Sequence, residues 1–269
     1  MAVPREQRTV FGEVADAYER SRADYPAALL DLIAGYATRT PAEVVEAGAG
    51  TGKGSALLRR LDVPLTCVEP DPAMAALLAR RFTGDDLVSV VVGRFEDWRP
   101  PPGGVDLVAS AQAWHWVDHT RRTDMAAEAL APGGVLAIFG HDYGFADVGL
   151  RTAMDAVYQR YAPEIADLPG RPVHTRHPGA FDPQELRTAP GFTDVTHERV
   201  VTVVPYDTAR YLTLLSTFSP HRMLPEAQRT RLHVALADLV DTHGGVVAHE
   251  LTTWLWLARR RGPAAADRS

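Results

Sequence analysis

Residues 43–58 read EVVEAGAGTGKGSALL, and this stretch decides the fold. Two β-branched residues, Val44 and Val45, are typical of a short buried strand, and the leucines after the glycines have helical spacing. A strand, a glycine-rich turn and a helix form the unit on which open α/β sheets bind cofactors. The glycine spacing and the acid before it indicate which ligand the turn holds.

The turn differs from a nucleoside-triphosphate loop in three respects. That loop has the pattern G-x-x-x-x-G-K-[ST], but Ala47 takes the place of its first glycine and Gly54 that of the magnesium-binding hydroxyl. Glu46 would also direct a negative charge at the phosphates. These differences argue against a triphosphate ligand.

The turn also departs from the dinucleotide pattern G-x-G-x-x-G, because its glycines alternate at Gly48, Gly50 and Gly52. Glycines allow positive φ angles and a close approach of the backbone to a ligand. An acid at Glu46 suits a ligand with a cationic group near the turn and no phosphate to repel. S-adenosylmethionine has such a group in the α-ammonium of its amino-acid end.

A second acid supports a ligand that contains a nucleoside. Glu69 ends the next predicted strand, 65–68. Ligands of open α/β sheets lie at the carboxyl ends of the strands, where a carboxylate can accept hydrogen bonds from both ribose hydroxyls. Glu69 does not separate S-adenosylmethionine from NAD, since both contain a ribose. A surface acid at a strand end is the alternative.

Strands and helices alternate along the first half of the chain, which predicts a doubly wound, mainly parallel sheet of the α/β class. The predicted strands are 65–68, 88–92, 105–110 and 135–139, and the predicted helices are 55–61, 71–82 and 117–130, with Asp71 as an N-cap. The second half predicts a helix at 150–161, a strand at 192–204, helices at 207–218 and 225–242, and a last strand at 251–261. The late pair of strands would close the sheet with an antiparallel edge.

Composition narrows the class of protein. The chain has 269 residues, 46% of them hydrophobic, enough for one large domain. Its net charge of −6 argues against a nucleic-acid partner, because phosphate neutralisation needs a basic surface. The single cysteine allows no intrachain disulfide. The N-terminal residues MAVPREQRTV lack a signal-peptide pattern. No apolar run approaches the ~18 residues that a membrane-spanning helix needs. We therefore expect a cytoplasmic protein that has no membrane partner.

Several segments together resemble the class I S-adenosylmethionine-dependent methyltransferases, a Rossmann-like family. VVEAGAGTGKGSALL looks like their first motif, CVEPDPAM the second, VVGRFEDW the third, VDLVASAQAWHWVD the fourth strand with its loop, and APGGVLAIFGHD the fifth-strand motif. Three further segments are similar to the trans-aconitate-type small-molecule methyltransferases: FGEVADAYERSRADYP, LLSTFSPHRMLPEAQRTRL and LTTWLWLARRR. The resemblance implies a seven-stranded sheet with an N-terminal helical lid and helical cap insertions, S-adenosyl-L-methionine as cofactor and S-adenosyl-L-homocysteine as product. Glu46 is a departure, because the first acid of the family is most often aspartate.

The resemblance also implies roles on the cofactor side. The glycines would shape the backbone under the methionine end, Glu46 would face that end, and Glu69 would hold the ribose. Apolar side chains would lie against the adenine, or they pack in the core. An acid would accept a hydrogen bond from the adenine amino group, or it is a solvated surface acid. The N-terminal helix would reach the cofactor carboxylate with two residues spaced i and i+4, or these form an ordinary surface pair. The predicted cofactor-binding residues are Tyr18, Arg22, Glu46, Gly48, Ala49, Gly50, Thr51, Gly52, Glu69, Pro70, Met74, Arg94, Phe95, Glu96, Ser110 and Gln112.

The loop Trp114-His115-Trp116 follows the fourth strand, where the acceptor should approach the methyl group. Trp114 and Trp116 would wall an apolar pocket, and His115 is the predicted catalytic residue, as a base or an acceptor-orienting group. Alternatively, the tryptophans anchor the core and His115 is a bystander. No metal site is predicted. Four further residues complete the predicted substrate pocket: His141, Tyr143, Phe218 and His221.

We expect methyl transfer to a small molecule by a single methyltransferase domain over residues 1–261, as a monomer or homodimer. Its predicted segments are a lid at 1–40, a cofactor-binding core at 41–141, a cap or insertion at 142–190, and a sheet edge with substrate-side helices at 191–261, before a disordered tail at 262–269. A carboxylate or hydroxyl oxygen is the predicted acceptor, on resemblance alone. The alternative is a protein of this fold that binds the cofactor but catalyses a cyclisation or rearrangement, or serves as a partner subunit.

Overall fold

The computed structural model describes residues 15–166 and 181–262. Its strands are β1 (Val44–Ala47), β2 (Leu65–Glu69), β3 (Val88–Val92), β4 (Val105–Ala111), β5 (Leu130–Phe145), β6 (Phe192–Asp207) and β7 (Val246–Arg260). Its α-helices are α1 (Ala15–Ser21), α2 (Ala28–Tyr36), α3 (Lys53–Leu58), α4 (Pro72–Arg81), α5 (Arg122–Ala129), α6 (Val148–Tyr161), α7 (Gln184–Thr188), α8 (Thr208–Ser216), α9 (Ser219–Met223) and α10 (Glu226–Thr242). Among the described residues, no helix is long and apolar enough to cross a membrane.

The seven strands form one sheet in the order β3-β2-β1-β4-β5-β7-β6. The first five strands in this order run parallel to one another, whereas β7 is antiparallel to both β5 and β6. The strand order reverses between β1 and β4, and ligands of open α/β sheets bind at the carboxyl edge of such a point. The predicted doubly wound, mainly parallel seven-stranded sheet with an antiparallel edge is confirmed.

Helices cover the two faces of the sheet with separate apolar groups. One face packs against Leu29 and Ile33 of α2 and Leu58 of α3, and the other against Ala126 of α5 and Leu186 of α7. A third buried group joins α6, α8 and α10 to the end of β6 and the start of β7. This third group forms a cap above the carboxyl edge of the sheet.

Two predicted boundaries are wrong around β5. The helix predicted at 117–130 begins only at Arg122, because a 3₁₀ turn occupies Trp114–Trp116 and Asp118 then caps a tight turn through the Thr120 amide at 3.0 Å. The strand predicted at 135–139 is longer at both ends, since Leu130 pairs with Val105 and the long β7 pairs with β5 as far as Phe145. A 3₁₀ turn at Arg59–Leu61 also replaces the end of the helix predicted at 55–61.

The other predicted elements are present, with most ends moved by a few residues. Asp71 caps α4 as predicted, accepting from the amides of Ala73 at 2.8 Å and Met74 at 3.2 Å. The helix predicted at 207–218 is α8, and the short α9 that follows it was not predicted. Parts of the predicted lid (1–14), the cap segment (167–180) and the tail (263–269) lie outside the described residues. The division into segments stays a prediction.

Candidate functional site

The glycine turn joins the carboxyl end of β1 to α3 at the point where the strand order reverses. Gly48, Gly50 and Gly52 have φ angles of 72°, 58° and 92°, a region that other residues rarely adopt. A Cβ on Gly48 would collide with Ala113. The amides of Gly48 and Ala49 both donate to the Val68 carbonyl, at 2.9 and 3.1 Å. The turn is therefore held against β2 in a shape that depends on glycine.

Glu69 ends β2 directly beside this turn. Its Oε2 accepts from the Gly50 amide and its Oε1 from the Asp71 amide, both at 2.8 Å. The residue is 5% exposed, and burial raises the pKa of its carboxyl to about 7 against the two amide hydrogen bonds that lower it. Each carboxylate oxygen accepts more than one hydrogen bond. Glu69 is thus fixed in place with acceptor capacity left for a pair of hydroxyls.

Glu46 lies under the turn rather than facing outward from it, which corrects the sequence-based expectation. The residue is 0% exposed, its Oε2 accepts from the Ser55 hydroxyl, and its Oε1 is so close to Gly54 that a Cβ there would collide with it. Its side chain, one methylene longer than aspartate, carries the carboxyl beneath the first turn of α3. Burial raises the pKa of Glu46 to about 8, so the carboxyl is protonated at neutral pH. Within the described residues, its Oε1 has no hydrogen-bond partner.

Helix α1 lies between the glycine turn and the cap. Tyr18 and Arg22 share a face, and the Arg22 guanidinium carbon lies 5.0 Å from the Tyr18 ring centroid and 4.1 Å from that of Phe218. Arg22 Nε also donates to the Thr217 hydroxyl at 3.1 Å. The predicted pair therefore faces the site and reaches the start of α9.

Glu19 of α1 was not predicted from the sequence, but its carboxylate links α1 to the glycine turn. The Thr51 hydroxyl donates to Glu19 Oε2 at 2.6 Å, Lys53 Nζ lies 3.7 Å from its Oε1, and Arg81 forms an ion pair with the same carboxylate. Nothing in the sequence marked Glu19, because its partners lie more than 30 residues away and no local pattern links them.

The predicted adenine side lies beyond Glu69, on α4 and after β3. Met74 and Phe95 are both buried, and the Phe95 ring stacks on Trp98 with centroids 5.9 Å apart. Glu96 Oε1 accepts from the Asp118 amide at 2.9 Å, which ties this segment to the loop after β4. Pro70 is half-buried and Arg94 is exposed.

The end of β4 ties neighbouring strands together. The buried Ser110 hydroxyl donates to the Ala47 carbonyl at 3.0 Å. Gln112 has a φ of 52°, and its amide donates to the Phe139 carbonyl at 2.8 Å. Its side-chain amide donates to the His141 carbonyl at 3.1 Å. These residues hold the carboxyl ends of β1, β4 and β5 in register.

Trp114 is a core anchor and not a pocket wall, so the alternative interpretation is the one that the structure supports. It is 1% exposed, and its Nε1 donates to Glu185 Oε1 at 2.9 Å. Arg122 donates to the Trp114 carbonyl at 3.0 Å and pairs with Glu185 at 2.6 Å. His115 and Trp116 stay half-buried, with ring centroids 4.6 Å apart. The anchored tryptophan therefore fixes the turn that carries His115.

His141 and Tyr143 of β5 face the cap and α1. The His141 ring stacks on Tyr25 with centroids 4.5 Å apart, and its Nδ1 lies 2.8 Å from the Thr253 hydroxyl. Burial lowers the pKa of His141 to about 4, so this imidazole is neutral at pH 7. The Tyr143 ring centroid lies 5.7 Å from that of Phe218. These predicted pocket residues are brought together around Arg22.

His221 is not part of this group, which corrects its predicted place in the pocket. Its Nε2 lies 3.1 Å from the Tyr158 hydroxyl and its Nδ1 3.1 Å from His233 Nε2. Burial lowers the pKa of His221 to about 3. Because both ring nitrogens are engaged inside the cap, the residue has no atom left for an acceptor.

Comparison with known proteins agrees with this geometry. Residues 45–138, from the glycine turn to β5, match the family model described as a methyltransferase domain. The part of the chain from β1 into β5 is therefore similar to methyltransferase domains, the class of protein that the sequence motifs predicted. The family resemblance seen in the sequence motifs is thereby confirmed.

Two curated relatives match half of the chain or less. An uncharacterized methyltransferase of Mycobacterium tuberculosis is 34% identical over 134 residues, which cover 50% of this chain and 53% of the relative. The trans-aconitate 2-methyltransferase of Rhodopseudomonas palustris is 30% identical over 111 residues, covering 40% of this chain and 42% of the relative. The chain thus spans about half the length of these two curated relatives.

A solved structure extends the likeness of fold to most of the chain. The candidate type II methyltransferase from Anaeromyxobacter dehalogenans has a TM-score of 0.66 at 22% identity, and the match covers 90% of this chain and 99% of that one. At this identity the likeness concerns the fold alone.

The site fits the family's cofactor. The positive-φ glycines keep side chains off the turn, and Glu69 is fixed with acceptor capacity for ribose hydroxyls. Glu46 Oε1, beneath the same turn, is a buried polar atom that has no hydrogen-bond partner among the described residues. At the position where a triphosphate loop has its magnesium-binding hydroxyl, this chain has Gly54.

Proposed function

We propose that this protein transfers the methyl group of S-adenosylmethionine to an oxygen atom of a small-molecule acceptor. The observation that carries the proposal is the fixed Glu69 carboxylate, bonded to the Gly50 and Asp71 amides at the carboxyl edge of the sheet. The switch of strand order at this edge is where such a sheet binds its ligand.

Cofactor binding is assigned to the residues around the turn. Glu69 accepts the ribose hydroxyls, and the glycine backbone passes under the methionine end. Tyr18 and Arg22 close over that end from α1, where Arg22 provides the positive charge for a carboxylate. Met74 and Phe95 provide the apolar contact for the adenine, and Glu46 supports the turn from below through Ser55. This set follows the family's motifs residue by residue.

The cofactor supplies a sulfonium methyl group that is already activated for displacement. The protein therefore has to position the acceptor oxygen and exclude water. Arg22, His141, Tyr143 and Phe218 form the side of the pocket that would do so. His115, on the turn fixed by Trp114, takes the acceptor proton if the acceptor is a hydroxyl; a carboxylate needs no base at pH 7.

The composition supports a small-molecule rather than a nucleic-acid partner and a cytoplasmic location. A monomer or a homodimer is the proposed state.

Incubation with S-adenosylmethionine and a panel of carboxylic and hydroxylated small molecules tests the proposal. Mass spectrometry should find S-adenosylhomocysteine together with a product heavier by one CH₂. A matched reaction with Glu69→Ala should form much less of both. Binding of the cofactor with no methylated product from any acceptor class would favour a non-methylating activity instead.

A further inference from the structure

Three polar side chains form a cluster on the extended end of β5, the end of β6 and the start of β7. They are Tyr143, Tyr206 and His249, and together they are called the distal subsite. The His249 ring centroid lies 5.5 Å from that of Tyr143 and 5.3 Å from that of Tyr206, with both tyrosine rings nearly perpendicular to it. Burial, and next the neighbouring Tyr143, raise the pKa of Tyr206. The three groups thus share one small volume.

Each member of the distal subsite carries a buried polar atom without a hydrogen bond of normal geometry to any described residue. These atoms are the hydroxyls of Tyr143 and Tyr206 and Nε2 of His249. Tyr206 is 0% and His249 3% exposed, so bulk water does not solvate them. Folded proteins pair nearly all buried polar atoms, since an unpaired one is costly. The Tyr206 hydroxyl still lies near enough to that of Tyr143 to interact with it. Among the described residues, His249 Nε2 is therefore the atom that indicates a place for a polar group from outside the chain.

The hydrogen bonding of His249 determines what that group must be. Nδ1 of His249 lies 2.8 Å from the Gly144 carbonyl oxygen. A carbonyl only accepts, so Nδ1 carries the hydrogen and Nε2 presents a lone pair. The imidazole is neutral near pH 7, because burial lowers the pKa of His249 to about 4. The distal subsite therefore requires a ligand group that donates a hydrogen bond.

The distal subsite adjoins the acceptor side of the pocket. The Tyr143 ring centroid lies 5.7 Å from both the Phe218 ring and the Arg22 guanidinium carbon. Tyr143 is four residues beyond Phe139, where β5 meets Gln112, and this is about 13 Å along a strand. A group bound at the subsite would thus lie at the far end of an acceptor whose reacting atom approaches the methyl group near the sheet edge.

We infer that the acceptor carries a hydroxyl group, remote from the atom that is methylated, which binds in the distal subsite by donating to His249 Nε2. The inference rests on the proposed function and names its acceptor class, a hydroxylated small molecule with an apolar or aromatic frame. The tyrosine hydroxyls complete the hydrogen bonding of the ligand hydroxyl. The rings of Phe145 and Tyr211, with centroids 4.9 and 5.5 Å from that of His249, give the surroundings an aromatic character that suits such a frame.

Phenol and anisole are the probes for this inference, since they share a ring and an oxygen but only phenol donates. Protein with ¹⁵N-labelled histidine is titrated with each probe, with and without S-adenosylhomocysteine, while the Nε2 resonance of His249 is followed by NMR. Phenol should shift this resonance saturably and bind about tenfold more tightly than anisole, the factor for one hydrogen bond. Equal affinities for phenol and anisole would overturn the inference. So would a His249 resonance that does not respond to phenol, which is the result expected if the subsite holds only a structural water.

Two variants test whether the preference for phenol over anisole arises at the distal subsite, and a third variant serves as a control. His249→Phe and Tyr206→Phe keep an aromatic ring and should lower the preference for phenol to about twofold or less, whereas Tyr158→Phe removes a buried hydroxyl outside the subsite and should leave the preference intact. A preference that survives in both subsite variants would contradict the assignment. Preference for phenol in a protein that fails to bind S-adenosylhomocysteine would refute the proposed function and leave the hydroxyl site standing.

Discussion

Replacing Glu46 by glutamine should change how the stability of the protein depends on pH. The Glu46 carboxyl is fully buried, and burial raises its pKa from 4.5 to about 8. Between these values the folded state binds a proton that the unfolded state has lost, so the Glu46 contribution to stability falls as the pH rises. Glutamine occupies similar space but does not titrate.

The magnitude follows from linkage, at about 1.4 kcal/mol per pH unit. Between about pH 5.5 and about pH 7.5, Glu46→Gln should gain about 2–3 kcal/mol in unfolding free energy relative to the wild type. Urea denaturation at the two pH values measures this difference, which is independent of any constant packing cost of the amide beneath Gly54. Parallel pH curves for Glu46→Gln and the wild type would show that Glu46 is ionised in the fold.

Three other changes test separate parts of the site. If the acceptor proves to be a hydroxyl, His115→Asn should lower kcat by about 10²–10⁴-fold with cofactor affinity unchanged; a full kcat would remove His115 from the mechanism. Trp114→Phe should lower the unfolding free energy by about 1–2 kcal/mol in urea, through loss of the bond to Glu185, while calorimetry finds cofactor affinity unchanged. Because the pKa of His221 is lowered to about 3 in the folded state, the unfolded state binds one more proton below about pH 6.5, and the unfolding free energy should fall as the pH drops towards 4. The unfolding free energy of His221→Gln should fall less steeply over this range. Equal slopes for the variant and the wild type would show that another group takes up the proton.

The sequence predicted the parts of the fold that local chemistry determines. The alternating glycines, the Asp71 cap and the apolar runs each act within a few residues, and the structure has the turn, α4 and the sheet that they predict. The full length of β5 was not predictable in this way, because its last residues pair with β7 over a hundred positions away. The last residues of β5 carry no local pattern that marks this pairing.

The same limit applies to the side chains of the site. Glu46 looked like a ligand-facing acid by position, but its direction depends on the space that Gly54 leaves above it. His221 looked available beside Phe218, yet its ring nitrogens are engaged by Tyr158 and His233, on two other helices. The role of an acid or a histidine depends on such distant partners, which only the folded chain brings together.

Calorimetry with S-adenosylmethionine tests the central claim most directly. The wild type should bind S-adenosylmethionine and S-adenosylhomocysteine but neither ATP nor NAD. Glu69→Ala should weaken cofactor binding by about 1.5–3 kcal/mol, the cost of losing charge-assisted hydrogen bonds to the ribose, and Glu69→Gln by less. Asp86→Ala, which removes an exposed acid near α4, should bind like the wild type. Tight binding of NAD without S-adenosylmethionine, or an unchanged affinity in a folded Glu69→Ala variant, would contradict the account.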